Sequence, residues 1–261
     1  MGKRRTLGLG LLGALFGLAA SALVGCGGQS PPVRMDPDDE LVLSRRALER
    51  QKYADAIVQF QDLVFNYPGS PEAEEAQFLL GECYLKTEQY ELAREAFQNL
   101  IQDYPESQFR DDAQLYIGVT YLEESLPAQY DQEMTWRAIE EFEVFLADYP
   151  TSPLRDEAEA HLRGARDKIA EKGYLNGRLY LKMGYTRAAR LTFERVTQEF
   201  PVSPWAARSM LGIARAHIQE KNHREAEETL GRLIEEYAGT PEAEIGRKTL
   251  EELEDTPSPR G

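Results

Sequence analysis

A spaced pattern of small and aromatic residues recurs five times along this chain of 261 residues. In each copy an alanine is followed four residues later by phenylalanine, or by leucine in the last copy. Seven residues further on stands an aromatic residue, which usually precedes proline. The copies are Ala56/Phe60/Tyr67-Pro68, Ala93/Phe97/Tyr104-Pro105, Ala138/Phe142/Tyr149-Pro150, Ala189/Phe193/Phe200-Pro201 and Ala226/Leu230/Tyr237-Ala238. Such a period indicates repeated units that bury their apolar faces against one another.

Small and aromatic residues upstream of the pattern identify the type of unit. Leu80-Gly81-x-x-Tyr84 precedes the second copy and completes the pattern L-G-x-x-Y, A-x-x-x-F, P of a tetratricopeptide repeat, which is a helical hairpin. We expect Gly81 to be small because the two helices cross closely there and Phe97 fills the groove. The sequence therefore predicts an all-α fold, a right-handed superhelical solenoid of five tetratricopeptide-like hairpins.

The spacing of the key alanines predicts two irregularities. Successive alanines lie 37, 45, 51 and 37 residues apart. The excess of eight residues coincides with the helix-breaking stretch 126–133, which predicts a loop insertion in repeat 3. The excess of fourteen residues falls within 154–173, where there is no proline, and corresponds to about four helical turns. It predicts a lengthened helix before repeat 4.

Serine-proline pairs mark boundaries between units. Three such pairs follow the aromatic-proline pairs, and each serine is predicted to be an N-cap with proline at the first helical position. The pairs are Ser70-Pro71, Ser152-Pro153 and Ser203-Pro204.

The N-terminus has the composition of an export signal. Lys3, Arg4 and Arg5 precede an apolar run over 7–22, and Leu23-Val24-Gly25-Cys26 follows. This ending resembles the lipobox of bacterial lipoproteins, which implies a covalent N-acyl and S-diacylglycerol lipid on Cys26 and no other cofactor. Two alternatives remain open: a secretory signal cut after Ala22, or an apolar anchor that is not cleaved.

These features divide the chain into five parts. We predict a lipoprotein signal peptide over 1–25, a lipidated flexible tether over 26–40, and N-terminal repeats 1–3 over 41–153. The long helix and C-terminal repeats 4–5 occupy 154–252, and 253–261 form a disordered tail.

Charge is distributed unevenly along an acidic chain. The formal net charge is -15, and it becomes -18 when the three cations of the signal are removed. Such a field disfavours nucleic acid as a partner. Residues 154–195 nevertheless carry ten bases and six acids. They supply the candidate residues for binding an acidic partner: Arg155, Arg163, Arg166, Lys168, Lys172 and Arg178. The alternative is that a long helix solvates itself with basic residues.

The sequence offers little for catalysis. His161, His217 and His223 share no close spacing that would predict a metal site. Cys83 has no nearby histidine and is expected to be a small buried thiol. No nucleotide-binding motif follows a strand. We therefore predict that the protein is not an enzyme.

The lipid anchor, the tether, the five hairpins, the insertion and the long helix together resemble one family. It is the BamD type of tetratricopeptide lipoprotein in the outer-membrane β-barrel assembly (BAM) machinery. The resemblance implies an anchor on the periplasmic face of the outer membrane, binding to a BamA-type β-barrel protein, and receipt of unfolded outer-membrane proteins for insertion. Other BAM lipoproteins are further candidate partners. The alternative is another envelope lipoprotein with such repeats, such as a secretin pilotin or a peptidoglycan or cell-division coordinator.

The resemblance also assigns the substrate signal to the N-terminal repeats, about residues 41–121. Aromatic residues are plentiful there, and we expect them to be core because most lie on the repeat template. They are Tyr53, Phe65, Tyr67, Phe78, Tyr84 and Tyr90. Trp136 and Trp205 stand off the template, and interface and packing roles remain equally open for them.

Overall fold

The computed structural model describes residues 35–254, which form eleven α-helices. The helices are α1 Pro37–Glu49, α2 Tyr53–Asn66, α3 Pro71–Lys86, α4 Tyr90–Asp103, α5 Arg110–Glu124, α6 Glu133–Asp148, α7 Arg155–Lys182, α8 Thr186–Glu199, α9 Pro204–Gln219, α10 His223–Glu236 and α11 Pro241–Glu254. The expected signal peptide, Cys26 and most of the tether and tail lie outside the described residues.

Consecutive helices pair into five hairpins, α1/α2 to α9/α10, and α11 packs on the last of them. The first helices of neighbouring hairpins also touch, as α1 with α3, α7 with α9, and α9 with α11. The predicted fold class is confirmed: the described part of the chain is a tetratricopeptide-like helical solenoid.

The five-fold sequence pattern is the core of this solenoid. All five template alanines are completely buried, and the phenylalanine or leucine four residues later is at most 1% exposed in every copy. Burying a side chain of this size stabilises the fold by about 1.5–3 kcal/mol. The aromatic residue that follows is the C-cap of the second helix of each hairpin, such as Tyr67, Tyr104 and Tyr149. Proline after it cannot continue the helix.

The Ser-Pro prediction is confirmed at two boundaries and wrong at the third. The Ser70 and Ser203 hydroxyls accept hydrogen bonds from backbone amides of α3 and α9. In contrast, α7 begins at Arg155 with no side-chain cap. The Ser152 hydroxyl donates to the Asp111 carboxylate on α5 at 2.7 Å and accepts from the Leu154 amide at 3.1 Å, so it caps the turn before Arg155 and not the helix itself.

Two expected boundaries shift by a few residues. The tether was expected to reach residue 40, but α1 begins at Pro37 because the Asp36 carboxylate accepts from the Asp38 amide at 3.1 Å and caps the helix. The tail was expected to begin at residue 253, but α11 continues to Glu254. The eleventh helix itself covers the last hairpin, because Ala243 and Gly246 are buried against it.

Four of the five hairpins turn through one residue in the left-handed region. Gln51, Glu88, Gly184 and Lys221 have φ between 57° and 81°. Only Gly184 adopts this conformation without a steric cost, which is about 1 kcal/mol for other residues. The third hairpin replaces this tight turn by the predicted insertion, which lies between Glu124 and Glu133.

The lengthened helix is α7, with 28 residues against 13–16 in the other ten helices. Its first half contributes Ala158, Leu162 and Ala165 to the core of the third hairpin. Its second half packs Tyr174 and Leu181 on the core of the fourth. One continuous helix thus closes the first three hairpins and opens the last two.

Candidate functional site

The six basic residues predicted to bind a partner do not form one patch on α7. Arg155 and Arg163 lie one turn before and after Glu159, with nitrogen–oxygen distances of 3.1 and 3.8 Å. Arg166 reaches Glu143 on α6 at 2.7 Å. These ion pairs are exposed, and each stabilises the fold by at most about 1 kcal/mol. Their role in partner binding stays a prediction.

Lys168 and Lys172 hold the insertion loop, defined as residues 125–132. The Lys168 ammonium donates to the Ser125 hydroxyl at 2.6 Å, and the Lys172 ammonium donates to the Tyr130 carbonyl. Burial under the loop lowers the pKa of Lys168 below its usual range. Lys168 and Lys172, like the three ion-paired arginines, therefore have partners within the chain.

Gln132 fixes the same loop from inside. Its side-chain nitrogen lies 2.9–3.3 Å from the carbonyl oxygens of Leu126, Pro127, Tyr130 and Asp131. Its side-chain oxygen accepts from the Thr135 hydroxyl at 2.7 Å. Since Gln132 is only 4% exposed, the loop closes around one buried amide. This insertion is a folded element, and it presents Leu126 and Tyr130 to solvent.

An apolar and basic surface lies where α7 meets α8. We call it the corner surface and define it by Leu179, Met183, Tyr185, Arg187 and Leu191. Its four apolar members are each more than half exposed. The stretch 172–193 contains five cations and no acid, although the chain has 45 acids in all. Exposed apolar residues grouped in this way mark interaction sites. The absence of acids over 172–193 is visible in the sequence, but the six acids counted over the longer range 154–195 conceal it.

Arg178 faces a different surface, on the inner side of the last hairpins. The second half of α7 lies beside α9, and α9 lies beside α11. Between them is a cavity of about 410 Å³ lined by Tyr174, Arg178, Trp205, Arg208 and Arg215, among others. We call these five residues the arginine groove. Trp205 is half-buried there against Tyr174, with ring centroids 5.2 Å apart. Sequence reasoning missed Arg208 and Arg215.

The N-terminal hairpins carry a second concave site, which we call the inner cavity. It has a volume of about 370 Å³, and Leu85, Tyr90, Tyr116, Val119 and His161 line it together with acidic residues. The inner cavity lies among α3, α5, α7 and the start of α4, close to the aromatic cluster of Phe78, Phe97, Phe109 and Tyr116.

The expectation that the N-terminal aromatics are core is correct for Phe78 and Tyr84, and Tyr53 and Tyr67 pack partly buried against the core, but it is wrong for Phe65 and for Tyr90, which lines the inner cavity. Phe78 and Tyr84 are buried, and the Tyr84 hydroxyl accepts from Gln61 at 2.7 Å. Phe65 is 84% exposed, with Val58 exposed two turns earlier on α2. Phe65 lies about 200° around the helix from the buried Leu63, so it points away from the core.

The groups that could act chemically are held in packing roles. Burial raises the pKa of the Cys83 thiol to about 12, with the negative charge of Glu82 as the second cause. At neutral pH the side chain is therefore a thiol, which is a poor nucleophile. The His161 ring stacks on Phe142 with centroids 5.4 Å apart. In residues 35–254 no cluster of His, Cys, Asp and Glu is arranged to hold a metal ion.

Comparison with known sequence families gives two matches. The model of the YfiO family, described as outer membrane lipoprotein, matches residues 42–190, which is more than half of the chain. A tetratricopeptide-repeat model matches residues 174–241. A comparison with curated protein sequences finds no match. No helix within residues 35–254 has the length and apolar character of a membrane span.

Solved structures resemble this chain at low identity. The TPR2AB domain of yeast Sti1 in a complex with pHSP90 is 16% identical, with a TM-score of 0.44, over 82% of this chain and 83% of that one. PilW, a type IV pilus biogenesis factor, is 16% identical with a TM-score of 0.40, over 80% and 97%. A thermophilic tetratricopeptide-repeat protein of Thermus thermophilus is 14% identical with a TM-score of 0.36, over 84% and 98%. Because these identities and TM-scores are low, the assignment of the chain to a family rests on the sequence-family match alone.

Proposed function

The chain belongs to the YfiO family of outer membrane lipoproteins, and from this premise we propose that it is a non-enzymatic scaffold of the β-barrel assembly machinery. In this proposal the lipid on Cys26 anchors it to the periplasmic face of the outer membrane. The scaffold binds a BamA-type β-barrel protein and receives unfolded outer-membrane proteins for insertion. Tetratricopeptide solenoids suit such work because they present extended concave and convex surfaces for other proteins.

The corner surface is the observation that supports docking of the BamA-type partner. Interfaces combine apolar anchors with arginine, and leaving Leu179, Met183 and Leu191 in water is unfavourable at about 25 cal/mol per Å² of apolar area. The surrounding cations complement an acidic partner. We assign the corner surface, rather than the ion-paired first half of α7, to this contact.

The inner cavity is the candidate site for the unfolded client. An unfolded β-barrel protein carries alternate apolar side chains and unpaired strand edges, which aggregate unless they are covered. Tyr90, Tyr116 and Val119 provide apolar and aromatic contact area, and the cavity opens on the inner side of consecutive hairpins. Its acidic lining also favours clients that carry basic residues beside the apolar ones.

The docking proposal is tested by co-purification from detergent-solubilised membranes. The full chain with Arg187→Glu and Leu191→Glu should recover at least about ten-fold less of the BamA-type partner, which corresponds to about 1.4 kcal/mol. The matched control is Lys52→Glu with Val58→Glu, which also reverses one charge and adds one acid at exposed positions of the first hairpin. Equal recovery of the partner by both variants would contradict the assignment of the corner surface.

The client proposal is tested by photocrosslinking. A photoreactive amino acid in place of Tyr90 or Val119 should crosslink to a peptide with the C-terminal sequence of a β-barrel protein. The same amino acid at Val58 or Phe65, on the outer face of α2, should not. Crosslinks only at the outer positions would reject the inner cavity as the client site.

Depletion of the protein separates this function from its alternative. Broad loss of folded β-barrel proteins from the outer membrane is the expected result. Loss of one secretin ring, with other β-barrel proteins unchanged, would instead support a pilotin.

A further inference from the structure

The arginine groove is built from the inner faces of three successive first helices. Glu171, Tyr174 and Arg178 follow one another at helical spacing on α7, and Arg208, Leu211 and Arg215 do so on α9. Glu242 and Ile245 on α11 complete the lining. Residues three, four and seven apart share one helix face, so each helix presents a continuous stripe to the groove.

The three guanidinium groups of the groove differ in the ion pairs and ring contacts that they make within the chain. Arg208 lies 3.1 Å from the Glu242 carboxylate and 4.5 Å above the Trp205 ring. Arg178 stacks more loosely on Tyr174, at 6.0 Å from the ring centroid. Within residues 35–254, neither Arg178 nor Arg215 forms an ion pair with a carboxylate, although most arginines of the chain do. Two guanidinium groups are thus left to bind an external anion.

The geometry suits an extended chain with carboxylates. Arg178 on α7 and Arg215 on α9 line the same groove from adjacent helices, so one extended segment that crosses the groove can present a carboxylate to each. Arginine binds carboxylates through paired N–H donors, and aromatic side chains beside it supply contact area with little loss of conformational freedom. Trp205 and Ile245 belong to the apolar part of the lining, together with Tyr174, Leu175 and Leu211, and Ile245 is exposed in the described structure.

We propose that the arginine groove binds an extended acidic segment of a partner protein. Carboxylates of the segment accept hydrogen bonds from Arg178 and Arg215, and an aromatic or branched side chain between them packs on Trp205 and Ile245. This site is separate from the corner surface and from the inner cavity, so it goes beyond the proposed function. It gives the last hairpins a binding partner of their own.

The surroundings of the groove favour a short acidic segment over a long polyanion. Glu171 and Glu242 stand beside the arginines, and the chain as a whole is acidic. A nucleic acid carries its charge continuously, so it would place phosphates against these carboxylates wherever it left the arginines. A peptide can place carboxylates only where the arginines lie.

The test uses the full chain in detergent micelles and a fluorescein-labelled peptide, Asp-Glu-Phe-Asp-Glu-Phe. Binding is measured by fluorescence anisotropy. In parallel, the Trp136→Phe variant leaves Trp205 as the only tryptophan, so that a change in its emission reports on the groove. We expect saturable binding with a shift in Trp205 emission. Arg178→Gln with Arg215→Gln should raise the Kd at least about ten-fold.

The control keeps the charge change and moves it away from the groove. Arg46→Gln with Arg50→Gln removes two exposed cations of the first hairpin, outside the lining, and should leave the Kd within about two-fold, since exposed charges at a distance are screened by salt. Unchanged helical circular dichroism and thermal midpoint establish that both variants are folded.

Three results would overturn the proposal. The first is an equal rise in Kd for the groove and control variants. The second is equal binding of the amide peptide Asn-Gln-Phe-Asn-Gln-Phe. The third is displacement of the acidic peptide by a single-stranded oligonucleotide of equal charge at the same concentration, which would indicate general polyanion binding. None of these depends on a BamA-type partner, so failure here leaves the proposed function standing.

Discussion

A β-carbon added to Gly81 would lie 2.5 Å from the Cε1 atom of Phe97, on the other helix of the same hairpin. The same relationship recurs between Gly118 and Phe142 at 2.6 Å. It recurs again between Gly177 and Phe193 at 2.5 Å. In these three hairpins the phenylalanine ring occupies the space that a side chain on the first helix would need.

Gly81→Ala is therefore expected to destabilise the protein in spite of the higher helix propensity of alanine. The Phe97 ring is fully buried and cannot move aside without disturbing its neighbours. The expected cost of overpacking is about 1–3 kcal/mol of the free energy of unfolding, measured by urea titration. Gly164→Ala is the matched control, because a β-carbon there has nothing within 4 Å. It should stabilise the fold by up to about 1 kcal/mol. Equal effects of the two substitutions would contradict the close crossing.

Gln132→Glu is expected to loosen the insertion loop. The substitution keeps the size of the side chain, but it places a carboxylate oxygen where an amide now faces four carbonyl oxygens. Leaving these buried groups without a donor costs about 1–3 kcal/mol. Hydrogen exchange at the backbone amides of residues 125–132 should become faster. Gln129→Glu, an exposed change in the same loop, should leave the exchange rates as they are.

We expect the free energy of unfolding to fall at acidic pH, in part because His217 becomes protonated. Burial is the largest cause that lowers the pKa of His217, and the positive charge of Arg190 is the second; Glu220, Glu225 and Glu194 act in the opposite direction. A folded pKa below the unfolded value of about 6.5 means that the unfolded chain binds the proton more tightly. The stabilisation that the neutral form of His217 gives to the fold is thus fully present above about pH 6.5, and it is lost as the pH falls from there through the lowered folded pKa.

The measurement compares free energies of unfolding at about pH 7.5 and about pH 5.5, on either side of the unfolded pKa. The difference between the two should be smaller in His217→Gln than in the parent chain. His223→Gln, at an exposed position, serves as the control for removing a histidine. A parent-like pH dependence in His217→Gln would show that other groups cause the loss.

Cys26→Ala is expected to release the protein from the membrane without unfolding it. Two or three acyl chains anchor a protein durably, and the variant has no thiol to receive them. Fractionation and metabolic labelling with a palmitate analogue measure the result, and Cys83→Ala, which changes the other cysteine, should remain membrane-bound and labelled. A Cys26→Ala chain that stays on membranes lacking a BamA-type partner would point to a retained apolar anchor.

The repeated core could be predicted because its determinants are local. Ala93 and Phe97 are four residues apart on one helix face, and their burial follows from helical spacing alone. The lengthened helix could be predicted for the same reason, since fourteen additional residues without proline continue the backbone hydrogen bonds of α7.

The binding surfaces depend on contacts that sequence spacing does not report. Lys168 meets Ser125, which lies 43 residues earlier in the chain, and this contact with the insertion loop could not be read from the charge of the side chain. Ser152 similarly meets Asp111, and its hydroxyl caps the turn at Leu154 and not the first turn of α7. Arg178 and Arg215 share a groove only because the first helices of successive hairpins lie side by side. The exposure of Phe65, in contrast, follows from sequence spacing, because Phe65 lies about 200° around α2 from the buried Leu63.

The continuous helix α7 fixes the distance between two arrays of hairpins, the first three and the last two. At about 1.5 Å per residue, its 28 residues measure about 42 Å, and no proline interrupts the rod. The number of residues in this one helix therefore sets both the separation and the angular phase of the hairpins at its two ends. One residue more or fewer would change the separation by about 1.5 Å but rotate one array against the other by about 100°. An insertion in α7 that keeps the packing at both ends must therefore be close to a whole number of helical turns.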